Sequence, residues 1–573
     1  MPVHNKEIAK ILNEIADLLD IKGENQFRIR SYRNAARTIS GLTENITQIK
    51  GGKKKIKSLP GIGESIAEKI EEIANTGRIS QLDELKKEIP ESLVDIMKLE
   101  QMGPQRTKIL NEKLNIQSIK DLEKAAKEGE IEKLEGFGKK TSENILKEIE
   151  EYSEKGGSKR FKLHEAGEMI KPMVKYLKKN IKDITIAGSY RRKKETVGDI
   201  DILGISKDPD MAMDYFVNYE EVERILAKGE SRSSVKLRTG LQVDMRIFNK
   251  ESYGAALLYF TGSKAHSIAL RKEGQEKSYK VNEYGIFKNK KRLAGKSEKE
   301  MYKKLGLLFI EPEIREDNGE IEAAKNNQLP ELITPDQIRG DLQSHTNETD
   351  GKYSLEEMVK AAENKGYEYF AITDHSKKVS MANGLDEKRL AYQIDEIDKL
   401  NRKIKTLKIL KSVEVDILED GSLDLSDEIL KELDLVVCAV HYNMNLSRSK
   451  QTKRILKAME NPYFNILAHP TGRMIGKRSG YDIDMDKIMK EARDKGCFLE
   501  INSNPDRLDL SDNYIRQAKE TGLKLAVSTD AHSLDNLEYM KYGVAQARRG
   551  WLEKDDIINT RSWKELKELL KRN

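Results

Sequence analysis

Two aspartates separated by one residue, Asp199 and Asp201, lie in an apolar stretch of the sequence. Residues i and i+2 share one face of a β-strand, so we expect both carboxylates on one side and Ile200 and Ile202 in the core. Asp244, in a second predicted strand, can complete a set of three. Carboxylates this close repel one another unless a cation lies between them, and Mg²⁺ prefers carboxylate oxygens together with substrate phosphates. The spacing therefore predicts a two-metal site that activates a hydroxyl and stabilises a leaving pyrophosphate.

The residues just upstream could hold a triphosphate. Gly188 and Ser189 offer bare backbone and a hydroxyl, and Arg191 and Arg192 offer guanidinium groups that suit phosphate oxygens. A surface Asp-x-Asp pair without a metal is the plainer interpretation. The arginine pair and the third aspartate argue against it.

Histidines mark a second candidate metal site. The chain has eight, and the five beyond residue 340 all end or follow short apolar runs: His345, His375, His441, His469 and His532. Three acids accompany them: Asp350, Glu414 and Asp530. The C-terminal ends of parallel strands meet at one mouth of a barrel. Histidine with carboxylate and no cysteine suits Mn²⁺, Zn²⁺ or Fe²⁺.

Three glycine turns precede predicted helices near the N-terminus, with basic residues close by. They contain Gly61 and Gly63, Gly103, and Gly136 and Gly138. Glycine lets backbone approach a phosphate, and a helix N-terminus offers free N–H groups. Plain helix capping would explain one such turn. Three in one region predict helix-hairpin-helix elements that hold a nucleic-acid backbone without reading sequence.

The predicted elements place these residues in separate regions. Apolar residues recur every three or four positions over the first 150 residues, which predicts helices. A polar segment near 152–160 predicts a linker, residues 181–248 mix strands with helices, and a second linker is predicted near 311–335. Beyond it, alternating strands and helices predict a parallel α/β barrel.

Composition excludes several classes of protein. A chain of 573 residues is too long for one core, and its two cysteines exclude a disulfide scaffold. The formal charge is +13 over residues 1–310 and −7 over 311–573, so the front suits a polyanion. With no apolar signal core at the N-terminus and no bilayer-length apolar run, we expect a cytoplasmic protein without membrane contact.

The first carboxylate motif, with Tyr259-Phe260-Thr261-Gly262-Ser263, resembles the nucleotidyltransferase superfamily and, within it, the family X DNA polymerases of the DNA polymerase beta kind. The resemblance implies gapped or primer-template DNA and dNTPs as partners, and Mg²⁺ at Asp199, Asp201 and Asp244, with Asp244 helping to deprotonate the primer 3′-OH. It implies that the triphosphate, the sugar and the incoming nucleotide are held by Gly188, Ser189, Arg192, Gly198, Tyr259, Phe260, Gly262 and Lys264. Arg271 would contact the template strand.

The same resemblance aligns Lys69 with a lysine that forms a Schiff base in a 5′-deoxyribose-phosphate lyase domain, and Arg28 could anchor the phosphate. A lysine nucleophile needs a lowered pKa. Phe27 and Ser65 stand where vertebrate relatives carry polar or basic residues. A plain phosphate-binding role for Lys69 therefore stays open.

The histidine motifs resemble the PHP (polymerase and histidinol phosphatase) domain, a distorted (β/α)7 barrel. The resemblance implies a three-metal phosphoesterase site holding Mn²⁺ or Zn²⁺. The implied ligands are His345, Asp350, His375, Glu414, His441, His469, Asp530 and His532, with Arg473 and Asn502 near the phosphate. Gln343 stands where that family usually has a ligand histidine, and an amide oxygen is a poorer partner for Zn²⁺.

These observations predict a multidomain α+β and α/β protein and a monomer. The predicted segments are a lyase-like helical domain (1–88), a helical DNA-binding subdomain (89–152), a nucleotidyltransferase palm (153–252), a nucleotide- and template-binding subdomain (253–315), a linker (316–335) and a PHP domain (336–573). We expect a polymerase that fills short gaps in base excision repair, with a 3′–5′ exonuclease and an abasic-site endonuclease as candidate second activities. The alternatives are a polymerase with a structural PHP domain, a DNA-binding scaffold, and a phosphatase of histidinol-phosphate type.

Overall fold

The computed structural model describes residues 5–571 apart from 41, 43–45, 47–51, 58, 60–61, 91, 98, 100–101, 139–140, 147–148 and 150–159. The chain forms two compact units, Met1–Arg160 and Phe161–Asn573. Among the described residues, no helix combines the length and apolarity that crossing a bilayer requires.

The first unit is helical. Its helices are α1 Asn5–Lys22, α2 Gln26–Ser40, α3 Gly52–Lys57, α4 Glu64–Thr76, α5 Ser80–Glu88, α6 Ser92–Ile96, α7 Pro104–Leu114 and α8 Ile119–Lys127, with a further helical segment at 141–146. Apolar residues at helical spacing, such as Ile8, Leu12 and Ile15, are fully buried in one core. The turn residues Gly63 and Gly103 immediately precede α4 and α7.

The second unit begins with a five-stranded mixed sheet. The elements of this region are β1 Phe161–Lys162, α9 Leu163–Leu177, β2 Lys182–Ile186, α10 Gly188–Arg191, β3 Thr196–Val197, β4 Asp199–Ile205, α11 Pro209–Val217, β5 Val222–Lys228, β6 Arg232–Leu237 and β7 Gln242–Phe248. Strands β1 and β3 pair with each other in a separate antiparallel sheet. The strand order of the five-stranded sheet is β2-β4-β7-β6-β5, and only β4 and β7 are parallel. Ile200 and Ile202 point into the core as predicted.

A smaller α/β region follows the sheet. It consists of α12 Tyr253–Thr261, α13 Lys264–Glu276, β8 Lys280–Asn282, β9 Gly285–Lys288, β10 Lys291–Ala294, α14 Glu298–Leu305 and α15 Glu320–Lys325. The three strands form an antiparallel sheet in the order β10-β9-β8. His266 at the start of α13 is fully buried, and its ring contacts Glu320 and Tyr302 at 2.6 and 2.8 Å.

The remaining residues form a barrel. Its elements are β11 Gly340–Asp341, α16 Leu355–Asn364, β12 Tyr369–Ile372, α17 Glu387–Lys403, β13 Lys408–Asp416, α18 Asp427–Leu430, β14 Leu435–Ala439, α19 Arg448–Ala458, β15 Ile466–Leu467, α20 Met485–Lys495, β16 Phe498–Asn502, α21 Asp512–Thr521, β17 Leu525–Ser528, α22 Met540–Arg549 and α23 Trp563–Leu570. The seven strands are parallel and neighbour one another in sequence order. A parallel bridge between Ser344 and Ala531 joins the segments that directly follow the first and the last strand. The predicted distorted (β/α)7 barrel is therefore confirmed.

Candidate active sites

Asp199, Asp201 and Asp244, here called the carboxylate site, meet on two parallel strands. Asp201 on β4 lies directly opposite Asp244 on β7 in the strand register. Asp199 begins β4 and is exposed, whereas Asp244 is buried. Alternation along β4 therefore puts two carboxylates on the face that the neighbouring strand completes with a third.

The charges of the carboxylate site are only partly balanced by the protein. Burial raises the pKa of Asp201 to about 6, and the carboxylates of Asp199 and Asp244 act in the same direction. Arg246 opposes them, because its guanidinium lies 2.9 Å from Asp201 and 3.5 Å from Asp244. Arg232 also lies 4.0 Å from Asp244. Because the pKa of Asp201 is raised despite these arginines, the site still favours additional positive charge.

Gly188 makes room for the carboxylate site. It has a positive φ of 62°, and a Cβ placed there would lie 2.7 Å from Oδ2 of Asp201. Any other residue would strain the backbone and push against this carboxylate. Ser189 and Arg192 follow in and just after α10, and Gly198 lies between β3 and β4. The predicted triphosphate residues thus flank the carboxylates.

The predicted nucleotide residues on α12 and α13 adjoin the same place. The ring of Phe260 packs on the Arg246 guanidinium at 4.3 Å from its centroid, and Tyr259 is partly exposed beside it. A Cβ at Gly262 would lie 3.1 Å from the Arg192 guanidinium. Lys264 is exposed at the first position of α13. Arg271, about two turns further along α13, is exposed, and its Nε donates to the Ser267 carbonyl.

The second site, here called the histidine site, lies at the C-terminal ends of the barrel strands. Seven of the eight predicted ligands fall into three groups whose candidate ligand atoms lie within 4.8 Å of one another: His345, Asp350, His375 and His532; His375, Glu414 and His441; and His345, Glu414 and Asp530. The eighth, His469, places Nε2 3.0 Å from Glu414. His345, His375 and Glu414 each belong to two groups, so the groups form one continuous cluster.

Distances within the histidine site match ligands that share a cation. Two ligands about 2.1 Å from a tetrahedral ion lie about 3.4 Å apart. Nδ1 of His375 lies 3.3 Å from Glu414, and Nε2 of His345 lies 3.4 Å from the same carboxylate. Nε2 of His375 and Nε2 of His532 each lie 3.4 Å from Asp350. These separations suit metal ligands better than direct hydrogen bonds.

The electrostatics of the histidine site depend on its acids. Burial alone would lower the pKa of His375, but Glu414 and Asp350 raise it to about 9. Burial would also lower the pKa of His532, but Asp350 and Asp530 raise it to about 9. Burial would raise the pKa values of the three acids, but the surrounding imidazoles hold them well below their usual values. The acids therefore strongly favour nearby positive charge.

Buried atoms without partners test whether a metal fits the histidine site. Among the described residues, both ring nitrogens of His345, Nδ1 of His375 and Oε2 of Glu414 are buried without a hydrogen bond. Such atoms are costly unless something else binds them. The amide oxygen and nitrogen of the buried Gln343 have no hydrogen-bond partner either. The donor set of imidazole and carboxylate fits divalent transition metals.

Sequence reasoning missed three residues around the histidine site as possible members. Asp416, two positions after Glu414 on β13, is buried and 3.5 Å from His441. Glu500 on β16 is buried and accepts from the His469 amide, and burial raises its pKa. Arg507 lies 3.6 Å from Asp530. The sequence feature that could have identified Glu500 is an acid inside an apolar run. Arg507 lies in a loop and has no such feature.

The predicted DNA- and lyase-related residues lie in the first unit. Gly63 and Gly103 have extended backbone, Gly136 has a φ of 83°, and a Cβ at any of them or at Gly138 would meet nothing within 4 Å. Gly61 lies outside the described residues. Lys69 is half-buried on α4, and Arg28 on α2 is exposed and 3.4 Å from Glu24.

Family models match most of the chain. A helix-hairpin-helix domain matches residues 3–79, and a SAM-like helix-hairpin-helix tandem matches 91–151. The DNA polymerase beta palm matches 160–246, the DNA polymerase beta thumb 256–316 and the PHP domain 341–504. The carboxylate site thus lies in the palm match, and its neighbours on α12 and α13 lie in the thumb match.

Relatives match both the whole chain and the barrel alone. The chain is 37% identical over 577 residues to the "DNA polymerase/3'-5' exonuclease PolX" of Bacillus subtilis (strain 168), with all of both chains covered. A "Probable phosphatase" of Thermoanaerobacter sp. (strain X514) is 33% identical over 242 residues, 40% of this chain and 94% of that protein. On the full-length match and the order of its palm, thumb and PHP domains, the chain belongs to the PolX family of PHP-containing family X DNA polymerases.

Proposed function

We propose that the chain is a DNA-directed DNA polymerase that fills short gaps in repair and that its PHP domain trims 3′ ends. The observation that carries the polymerase is the register that pairs Asp201 with Asp244 beside Asp199 on a palm sheet. The full-length likeness to a polymerase/exonuclease supports both activities.

In the polymerase reaction these three aspartates would hold two Mg²⁺ ions, which supply charge neutralisation for the phosphates and the leaving pyrophosphate. Asp244 accepts the proton of the primer 3′-OH. Gly188, Ser189, Arg192 and Gly198 bind the triphosphate through backbone, hydroxyl and guanidinium groups. Tyr259, Phe260 and Gly262 pack against the sugar, Lys264 contacts the nucleotide, and Arg271 contacts the template strand.

Primer extension on gapped DNA tests the polymerase assignment. The full-length protein should add nucleotides to a labelled primer with Mg²⁺ present, and Asp201→Asn, which keeps the side-chain volume, should not. The exposed Asp210→Asn, at the start of α11, is a matched control that should extend normally. Normal extension by Asp201→Asn would reject the assignment.

For the PHP domain we propose a Mn²⁺- or Zn²⁺-dependent phosphodiesterase acting at 3′ ends and at abasic sites. The single observation that carries it is the clustering of its histidines and acids around Glu414 at distances that suit shared cations. Bound metal would supply an activated water and polarise the phosphate. The half-buried Arg473 and the buried Asn502 are candidates for orienting that phosphate.

Substitution of Gln343 distinguishes a PHP domain that works as a nuclease from one that has only a structural role. We would incubate 3′-recessed, gapped and abasic DNA with Mn²⁺ and no nucleotides, using wild type, Asp530→Ala and Gln343→His. Cleavage by wild type that Asp530→Ala abolishes supports the nuclease. No cleavage by wild type and recovery in Gln343→His would mean that the amide silences the site and the barrel serves the polymerase as structure.

Three further assignments belong to this proposal. The Lys69 amine would form a Schiff base with a 5′-deoxyribose phosphate held by Arg28, which borohydride trapping with Lys69→Arg as control would test. The glycines of the hairpins would contact the DNA backbone. The six predicted segments, from 1–88 to 336–573, would form the domains of a cytoplasmic enzyme. The enzyme would be a monomer, and light scattering would test this by measuring its mass in solution.

A further inference from the structure

A buried cluster of charges joins the nucleotide side of the palm to the PHP barrel. At its centre is Glu316, just beyond the thumb match, whose Oε1 lies 3.1 Å from Nε of Arg192 and 3.2 Å from Nη1 of Arg549. Arg192 is the arginine assigned to the triphosphate, whereas Arg549 is the last residue of α22 on the barrel. One carboxylate is thus shared between two regions of the second unit.

Arg549 also holds the backbone of the nucleotide site. Its Nη1 donates to the Arg192 carbonyl at 2.8 Å and to the Glu313 carbonyl at 3.1 Å. Its Nη2 donates to Asp512 at the start of α21. The Arg549 side chain is only 2% exposed. A buried guanidinium with this many acceptors is fixed in one orientation, and its removal leaves the partner charges unpaired.

The charge on Glu316 links Arg549 to Arg192. Burial would raise the pKa of Glu316, but Lys194, Arg549 and Arg192 lower it, so the group is a carboxylate. A carboxylate competes with phosphate for a guanidinium because both are anionic acceptors of the same geometry. Glu316 divides its charge among Arg549, Arg192 and Lys194, whose amine lies 3.6 Å away. With Arg549 bound to Glu316, Arg192 keeps more of its own charge for a triphosphate.

We propose that Arg549 of the PHP barrel is a positioning residue for nucleotide binding in the palm, acting on Arg192 through Glu316 and through the Arg192 carbonyl. The proposal rests on the proposed polymerase function. The barrel then completes the triphosphate site in addition to carrying its own chemistry, and nucleotide affinity depends on a residue outside the polymerase segments. Arg549 touches neither the carboxylate site nor the histidine site, so its effect should fall on nucleotide binding.

The test is steady-state extension of gapped DNA by the full-length protein, with KM for dNTP and kcat measured separately. Arg549→Met keeps most of the side-chain volume and removes the charge. We expect KM to rise about tenfold, the scale of one charge-assisted hydrogen bond, with kcat changed less than about twofold. Arg549→Lys should lie between, because one ammonium cannot reach the same set of acceptors.

Arg548→Met is the matched control. Arg548 precedes Arg549 on α22 and joins the barrel to the same region through Glu313 at 2.9 Å and the Ile333 carbonyl at 2.9 Å, and neither of these partners is Arg192 or Glu316. Its KM should stay within about twofold of wild type. A rise equal to that of Arg549→Met would make the effect a general loosening of the interface and overturn the proposal.

A second variant checks the route through Glu316. In Arg549→Met/Glu316→Gln the competing carboxylate is gone, so KM should return to within about threefold of wild type; no recovery would overturn the proposal. If thermal melting shows that Arg549→Met is unfolded, Glu316→Gln alone serves as the test. Removing the competing carboxylate should then lower the KM for dNTP, and an unchanged KM would contradict the proposal. Wild type without any extension would instead reject the polymerase function itself.

Discussion

The carboxylate site and the histidine site are both candidate metal sites, but they are built from different types of side chain. The carboxylate site uses three aspartates from two neighbouring strands, and Arg246 and Arg232 offset part of their charge. The histidine site collects imidazoles and acids from strand ends around the whole barrel, with Glu414 in contact with four of them. The first arrangement suits hard ions that also bind substrate phosphates, and the second suits ions held by the protein itself. The difference predicts that the protein itself holds metal more tightly at the histidine site than at the carboxylate site.

The largest effect is expected from Asp201, because it faces Asp244 and is contacted by Arg246. Asp201→Asn should reduce nucleotidyl transfer by about 10³-fold or more, since several kcal/mol of charge stabilisation at the phosphates is lost. Single-turnover extension of a one-nucleotide gap measures this. Nuclease activity of the same preparation should be unchanged, and parallel loss of both activities would mean that the sites are not independent.

Glu414→Gln should produce the reverse pattern. Glu414 belongs to two of the three ligand groups, so its loss should lower bound metal as well as activity. We expect 3′-end cleavage to fall by about 10²-fold or more, the scale of losing metal ligation, with primer extension unchanged. Metal content after dialysis, by atomic emission, should fall with activity. The exposed Glu419→Gln, on the loop after β13, is the control and should change neither quantity.

The pH dependence of the two sites should differ. His375 and His532 have pKa values raised to about 9, and each must lose a proton before it binds metal, so Mn²⁺ affinity at the histidine site should rise with pH up to about 9. Asp201 has a pKa of about 6, so Mg²⁺ affinity at the carboxylate site should fall only below about pH 6. Half-saturating Mn²⁺ for cleavage and Mg²⁺ for extension, measured from pH 5.5 to 9.5, would show two separate profiles. A common midpoint would contradict this comparison.

The smallest effect is expected at the hairpin glycines. Gly63 and Gly103 have extended backbone, and a Cβ there meets nothing, so Gly63→Ala and Gly103→Ala should fold normally. Each should weaken binding to gapped DNA a fewfold, because the methyl group keeps the backbone N–H groups from a phosphate. Ser118→Ala should do the opposite, costing about 1 kcal/mol of stability through the lost cap of α8 without changing DNA affinity. Anisotropy and thermal melting together distinguish the two.

The sequence allowed much of this arrangement to be predicted, for identifiable physical reasons. Strand alternation made the shared face of Asp199 and Asp201 predictable, and the rule that parallel strands converge made the barrel mouth predictable from five histidines. The alternation of strand and helix made a parallel barrel predictable, and the structure adds that its seven strands neighbour one another in sequence order.

Other features depend on tertiary contacts that no local pattern encodes. The role of Glu316 could not be read from its segment, because its partners are Arg192 and Arg549, more than 120 and 230 positions away. Arg507 reaches Asp530 from a loop. Glu500 was overlooked although it interrupts an apolar run, because the sequence does not show that its buried carboxylate accepts from the His469 amide.

The most direct test of the central claim uses one substrate for both sites. A gapped duplex with a labelled primer is given to wild type, Asp201→Asn and Glu414→Gln, first with Mn²⁺ alone and then with Mg²⁺ and nucleotides. We predict that wild type shortens and then lengthens the primer, Asp201→Asn only shortens it, and Glu414→Gln only lengthens it. Loss of both products in either variant, or shortening that persists in Glu414→Gln, would contradict the account of two separate metal sites.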